Sequence, residues 1–439
     1  MTDIDAKLEK LNQDYCGKQI KHCTFLGRTL NFDYGKIAFC CNFTIDKMPV
    51  ICDIASLENK SLKYIFTNKL IDTIRCNQAG KGLCTGCKHL REMEFEGLND
   101  QTLRLSSITW NNFRRCNSGC VYCFQDQAEP TKPYLAYELA EQLYTQGLVG
   151  KNALLLFGGG EPSMLPNLKN YLDFGYRHHM EQLLNTSAIR YSQELYDGLT
   201  KGVTVQISPD SGTRETYRRI KRRDRFEAVW NTIGRYCDFP DAVRVKYIVF
   251  SWNSSKEDLD GFLEECKKAG VKNVEISAER NVAISDRNRV FEDKAQNLYW
   301  SFGKKEEEAC LYLINKCLES GFAVGFSCGN FSQSLENRIL SKFAVAFNAR
   351  VGTPDTAVYI FGMGQNGKSL YDRLKEHIPF KGFLVSDTVR NTDGYGTLKC
   401  YHTSDIPKDA HIILSNTKYV PILAELRKEG FFNIDVFHV

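Results

Sequence analysis

The stretch Cys116-Asn-Ser-Gly-Cys120-Val-Tyr-Cys123 decides how the chain is read, because it sets three thiols in a C-x3-C-x2-C array. Cysteine thiolates are the usual ligands of iron–sulfur clusters, and a four-iron cluster has four corners to fill. Three ligands from one tight loop, with no fourth cysteine following nearby, leave one iron open to a further ligand. Structural zinc prefers four closed ligands, typically two C-x2-C pairs, and suits this array less well.

Outward from the loop, residues 101–348 alternate apolar runs with helical patterns. Strands are expected at Leu103–Ile108, Ala153–Phe157, Glu181–Leu184, Val203–Ser208, Val243–Phe250, Asn273–Ser277 and Phe322–Phe326. Helices are expected between them, at Tyr134–Gln146, Glu215–Tyr236 and Lys256–Lys268. Strands separated by such helices pair in parallel, and this much repetition predicts an α/β barrel or an open partial barrel. The strand Ala153–Phe157 runs into Gly158-Gly159-Gly160-Glu161-Pro162. Glycines there permit close approach to the backbone, and a carboxylate beside them can accept hydrogen bonds from an ammonium group.

The cysteine triplet and the Gly-Gly-Glu element together resemble the radical S-adenosylmethionine (SAM) superfamily, whose signature places an aromatic residue, here Tyr122, before the third cysteine. The resemblance covers roughly residues 101–280 and implies a partial (β/α)6-type barrel. It implies that Cys116, Cys120 and Cys123 hold a [4Fe-4S] cluster whose open iron binds SAM. Gly159, Gly160 and Glu161 would then hold the methionyl amino group. Val205-Gln-Ile-Ser208-Pro-Asp210, followed by Tyr217-Arg-Arg-Ile-Lys221-Arg-Arg223, is similar to a family stretch in which the serine reaches the ribose or methionyl part. In that stretch a nearby arginine can pair with the carboxylate, while a solvated helix face accounts for most of Arg214–Arg225. Asn185 and Ser187 stand at the ribose-contact segment, with Asn-Thr-Ser replacing the usual Thr-Asn-Gly. The implied chemistry is reductive cleavage of SAM to a 5′-deoxyadenosyl radical that abstracts hydrogen from a substrate, with electrons from a reductant such as flavodoxin or ferredoxin.

Residues 1–100 hold a second cysteine array. Cys23 precedes a hairpin-like stretch, Leu30–Asp33, Tyr34-Gly35 and Lys36–Phe39, which ends at Cys40-Cys41; Cys76 and Cys84-Thr-Gly-Cys87 follow. This pattern resembles the SPASM and twitch modules of radical enzymes, although those normally follow the barrel. The resemblance implies an auxiliary iron–sulfur cluster on Cys23, Cys40, Cys84 and Cys87, with Cys41, Cys52 and Cys76 left over. Zinc at the same four thiolates is a chemically reasonable alternative.

Toward the other end, Asn348–Thr356 breaks the helical pattern and reads as a linker. After it the βα alternation restarts, with strands expected at Ala357–Phe361, Gly382–Val385, His411–Leu414 and Ile434–Val439 and a helix through Leu374. Phe361 opens Gly362-Met-Gly364-Gln-Asn-Gly367, a G-x-G-x-x-G between strand and helix that suits a diphosphate. Asp387, one strand later, is placed to bond a ribose hydroxyl. Residues 356–439 thus resemble a short Rossmann-like nucleotide-binding domain, with a fold remnant that binds nothing as the alternative.

Composition agrees with these readings. The 439 residues are 43% hydrophobic and 25% charged, with a net charge of +4, so a strong nucleic-acid or membrane preference is not indicated. No apolar run approaches the roughly 20 residues that span a bilayer, and the N-terminus does not read as a secretion signal, so the chain is expected in the cytoplasm. There, clustered cysteines point to metal or redox chemistry. Of 17 cysteines, 11 precede residue 124, and the six beyond it, at 237, 266, 310, 317, 328 and 400, read as small buried hydrophobes. The expected function is a radical SAM enzyme acting on an unidentified substrate, with nucleotide-sugars or glycan precursors favoured by the C-terminal segment. The alternatives are a peptide-modifying maturase and a non-catalytic iron–sulfur or zinc protein.

Overall fold

The computed structural model describes residues 3–40, 49–57, 61–82, 84–87, 89–123, 135–279, 290–326, 331–351, 356–387, 389, 393–415 and 419–438. The chain divides into two compact units. The first contains Met1–Asn117, Phe124–Thr186 and Ser192–Val203, and the second contains Ser118–Cys123, Ser187–Tyr191 and Thr204–Val439.

The first unit opens with α1 (Asp3–Tyr15), β1 (Gln19–His22), β2 (Thr29–Asp33), β3 (Lys36–Ala38), β4 (Val50–Asp53), α2 (Leu62–Gln78) and β5 (Arg91–Glu94). It continues with β6 (Leu105–Asn111), α3 (Ala136–Thr145), β7 (Val149–Phe157), α4 (Leu168–Arg177), β8 (Glu181–Thr186) and α5 (Gln193–Leu199). Its sheet runs β4-β3-β2-β6-β7-β8, while β1 and β5 pair in an antiparallel ribbon. The hairpin expected from Tyr34-Gly35 is present, with β2 and β3 antiparallel and Gly35 at φ +73°, a conformation glycine adopts without a Cβ clash. On its other side β2 pairs in parallel with β6, placing Phe32 opposite Trp110. The two rings stack with centroids 5.3 Å apart, and Tyr171 meets Trp110 edge-on at the same distance. Aromatic packing in these geometries adds to the burial of apolar surface.

The second unit holds β9 (Val203–Ile207, all but its first residue), α6 (Arg214–Lys221), α7 (Phe226–Tyr236), β10 (Val243–Val249), α8 (Lys256–Lys268) and β11 (Asn273–Ala278). Next come β12 (Val290–Asp293), β13 (Leu298–Ser301), α9 (Lys304–Glu319), β14 (Ala323–Phe326) and α10 (Gln333–Val351). The remainder is β15 (Val358–Phe361), α11 (Gln365–Leu374), β16 (Phe380–Val385), β17 (Lys399–His402), β18 (His411–Leu414), α12 (Tyr419–Lys428) and β19 (Ile434–His438). β12 and β13 pair in an antiparallel ribbon, and the other strands form one sheet, β17-β16-β15-β18-β19-β14-β11-β10-β9, with every adjacent pair parallel. The α/β class and the parallel pairing follow the sequence expectation.

Two expected boundaries change. The helix read over Glu215–Tyr236 is two helices, because Arg222 turns left-handed at φ 51° and stops α6. Thr213 caps that helix by accepting a hydrogen bond from Thr216 N, and three basic side chains sit in its last turn, where the helix dipole favours them. The linker is also shorter than read: Asn348–Val351 belong to α10, held by the buried Phe347, and residues 352–355 lie outside the described residues. Strand β17 and helix α9 were not anticipated.

Candidate functional site

In the first unit, β6 delivers the chain through Phe113-Arg114-Arg115 to Cys116, and the loop after β7 lies directly upon that segment. Gly159 N donates to Trp110 O at 3.2 Å, Gly160 N to Phe113 O at 2.8 Å and Glu161 N to Arg115 O at 2.8 Å. The approach is so close that a Cβ on Gly159 would stand 2.4 Å from Phe113 O, and one on Gly160 2.2 Å from Arg115 O. These two glycines are therefore needed by the chain's own backbone, whatever else approaches them. Glu161 is 2% exposed. Its Oε1 accepts hydrogen bonds from Ser163 N (3.1 Å), Ser163 Oγ (2.8 Å) and Thr186 Oγ1 (2.7 Å). Burial without such donors would penalise the carboxylate. Asn185 donates from Nδ2 to Phe157 O at 3.0 Å, which ties β8 to the end of β7.

In the second unit, the segment Ser118–Cys123 is pinned by the end of α6. Gly119 N donates to Lys221 O and Val121 N to Ile220 O, both at 3.0 Å. Ser118 Oγ stands 3.1 Å from Cys120 Sγ. The Tyr122 hydroxyl donates to the Asp210 carboxylate, and Lys221 Nζ reaches both that hydroxyl, at 2.6 Å, and Asp210. Asp210 is fully buried and also accepts from Ile248 N at 2.8 Å. Burial works to lower the Lys221 pKa, but the adjacent Asp210 carboxylate outweighs it and the net shift is upward. Burial pushes the Tyr122 hydroxyl well above its usual range, and Asp210 acts in the same direction.

Ser208 directly follows β9, two residues before Asp210, and Ser187 Oγ accepts from Ile189 N at 3.4 Å. Two arginines of the basic stretch already have partners: Arg214 pairs with Asp224 at 2.7 Å, and Arg219 lies 4.2 Å from the centre of the Trp252 ring. Asp210, Lys221 and Thr186 fall within the motifs read from the sequence but carry no role in that reading, and Ser163 falls outside those motifs. The available signal was spacing. Lys221 lies one turn beyond Tyr217, on the buried stripe of α6 with Ile220.

Cys23, Cys40, Cys84 and Cys87 all line one small cavity of about 20 Å³, together with His89. Cys52 and Cys76 do not line it, and Cys41 lies outside the described residues. Burial raises the thiol pKa of Cys23 and of Cys84. Among the described residues, no three His, Cys, Asp or Glu side chains converge on a single metal ion. A larger cavity, of about 380 Å³, shares Cys23 and Leu26 with this one and is lined also by His22, Arg28 and Phe95. Of the later cysteines, Cys266, Cys310 and Cys317 are fully buried, Cys237 and Cys400 are partly so, and Cys328 lies outside the described residues.

At the far end of the second unit, Gly362 has φ +96° and Gly364 is the N-cap of α11. A Cβ on Gly367 would stand 1.9 Å from Gly362 O, whereas one on Gly364 would meet open space. Asp387 follows β16, and its Oδ1 accepts from Thr403 Oγ1, Ser404 N and Ser404 Oγ at 3.1–3.2 Å. The Ser404 amide and hydroxyl hold that carboxyl below its ordinary range.

Residues 110–241, which contain both the cysteine triplet and the Gly-Gly-Glu loop, match the Radical SAM superfamily. They form a radical SAM domain within the chain. Two curated relatives are Mycofactocin maturase MftC of Mycobacterium tuberculosis (strain CDC 1551 / Oshkosh) and Molybdenum cofactor biosynthesis protein moc-5 of Caenorhabditis elegans. The first is 26% identical over 122 residues, 27% of this chain and 31% of the relative. The second is 26% identical over 163 residues, 33% of this chain and 25% of the relative. The chain thus spans a third or less of the length of these relatives. Among solved structures, Streptococcus suis SuiB bound to S-adenosylmethionine aligns with a TM-score of 0.43 at 12% identity, covering 62% of this chain and 57% of that one.

Radical SAM enzymes use a [4Fe-4S] cluster and SAM. The donor chemistry here suits both groups: one loop carries three thiols, and a buried carboxylate is held by three donors close in sequence to the segment that leads into that loop. No helix among the described residues is long and apolar enough to cross a membrane.

Proposed function

We propose that the protein catalyses hydrogen-atom abstraction from a substrate, using SAM and a cluster held by Cys116, Cys120 and Cys123. The observation that carries this reading is the clamp of Gly159-Gly160-Glu161 on the backbone entering the cysteine loop, which fixes a buried carboxylate relative to Cys116. When bound, the cluster and SAM supply a 5′-deoxyadenosyl radical. The chain's own work is positional. Glu161 accepts the methionyl ammonium while Ser163 and Thr186 hold its carboxylate in place, and Lys221 and Asp210 fix Tyr122 and therefore the loop. Ser208 and Asn185 are assigned as contacts to the sugar and methionyl parts.

The four cysteines around the smaller cavity are proposed to hold an auxiliary iron–sulfur cluster. Their sharing one cavity supports this choice over any set that includes Cys52 or Cys76. A maturase role is favoured by the similarity to Mycofactocin maturase, and a nucleotide-linked substrate by the glycine turn after β15. The direct test of the site is Glu161→Gln. Replacing a charge-assisted hydrogen bond with a neutral one should weaken SAM binding by about tenfold, while iron content stays at the parent value. Equal SAM affinity in variant and parent would exclude the role given to Glu161.

A further inference from the structure

We propose that the carboxyl edge of β15 and β18 binds a nucleoside diphosphate, with Ser415 as a direct ligand. The proposal is independent of the radical chemistry and begins with strand order. Within residues 356–438 the order β17-β16-β15-β18-β19 places the third, second, first, fourth and fifth strands of the segment side by side. The direction of winding therefore reverses between β15 and β18. In open parallel sheets that reversal sends the two following loops to opposite faces and leaves a crevice at the carboxyl ends, where ligands bind.

The register fixes which residues border this crevice. Phe361 is paired with Leu414, so Gly362 and Ser415 follow side by side. Gly362 turns with positive φ, and the backbone of Gly367 comes so close to Gly362 O that no side chain fits between them. This contact seats the N-terminus of α11 against the turn. At Gly364 the space is open, so a ligand can approach the backbone and the unpaired amides of the first helical turn.

Ser415 supplies the independent observation. It is 3% exposed, and among the described residues its Oγ has no hydrogen-bond partner. A buried hydroxyl left unpaired is costly, and such groups in folded proteins usually have a partner. Gly362–Gly367 contains no cationic side chain, so an anion there is held by backbone amides, which suits a diphosphate better than an ion-paired carboxylate. Asp387, at the carboxyl end of the adjacent β16, disfavours phosphate and suits a ribose hydroxyl, which sets the nucleoside toward β16. A dinucleotide and a nucleotide-sugar share this chemistry, and the choice of base distinguishes them.

The test is calorimetric titration of the full reconstituted chain with ADP, UDP, NAD and pyrophosphate. Saturable binding of ADP or UDP is expected, with NAD following ADP if the natural ligand is a dinucleotide. Gly364→Val should abolish that binding, and Ser415→Ala should weaken it about tenfold, with iron content equal to the parent in both. Absence of nucleotide binding, pyrophosphate binding as well as the nucleotides, or unchanged affinity in both variants would overturn the proposal. Iron content and SAM binding report on the radical reading separately, so either reading can fail alone.

Discussion

At residue scale the strongest commitment is Gly160. A methyl group there would stand 2.2 Å from Arg115 O, a distance that real Cβ atoms do not tolerate against backbone. Gly160→Ala is therefore expected to displace the segment entering Cys116 and to lose about four iron atoms on reconstitution. Full iron occupancy in that variant would show that the clamp is not required. Lys221→Met leaves the buried Asp210 carboxylate without its cation and should destabilise the chain by about 3–5 kcal/mol, read from urea denaturation. The double variant with Asp210→Asn should lose less than the single one, and a larger loss would contradict the pairing.

His22 gives a pH-dependent prediction at the same scale. Burial, aided by Arg28, lowers its pKa to about 4 from 6.5. Between those values the unfolded chain binds the proton and the folded chain does not, so stability falls as pH drops through that window. His22→Phe should lose less stability than the parent between pH 7 and pH 5, and equal losses would rule out this contribution. The cysteine triplet and Gly-Gly-Glu were legible in the sequence because their chemistry lies in local spacing. Lys221 was less so, because its spacing one turn beyond Tyr217 is a weak signal within a run of basic residues until packing shows which one is buried.

At element scale, the strand–helix alternation could be read because parallel strands buried on both faces appear as uninterrupted apolar runs. The hairpin β2–β3 was equally visible through Tyr34-Gly35. Its attachment to β6 was not, since pairing between strands so far apart in sequence leaves no local signal. The Phe32–Trp110 stack is the core of that attachment, and both side chains are fully buried. Phe32→Ala should cost about 3–5 kcal/mol in unfolding free energy. A loss under about 1 kcal/mol would mean that the hairpin is held by its backbone ladder alone. The break between α6 and α7 was missed for a related reason: Arg222 is an ordinary helix former whose left-handed turn is imposed by its surroundings.

At the scale of the whole molecule, the proposed chemistry falls in three places: the cysteine loop with its clamp, the cavity lined by four further cysteines, and the carboxyl edge of β15 and β18. If the first two each hold a four-iron cluster, the anaerobically reconstituted protein should bind about eight iron atoms. The triple variant Cys116→Ala, Cys120→Ala, Cys123→Ala should bind about four. The most direct measurement is the 5′-deoxyadenosine released from SAM by the reduced protein and by that triple variant. Product is expected from the parent and none from the variant, while the variant keeps its remaining iron. Product at the parent's rate from the triple variant, or a parent that takes up zinc alone and releases no product, would contradict it.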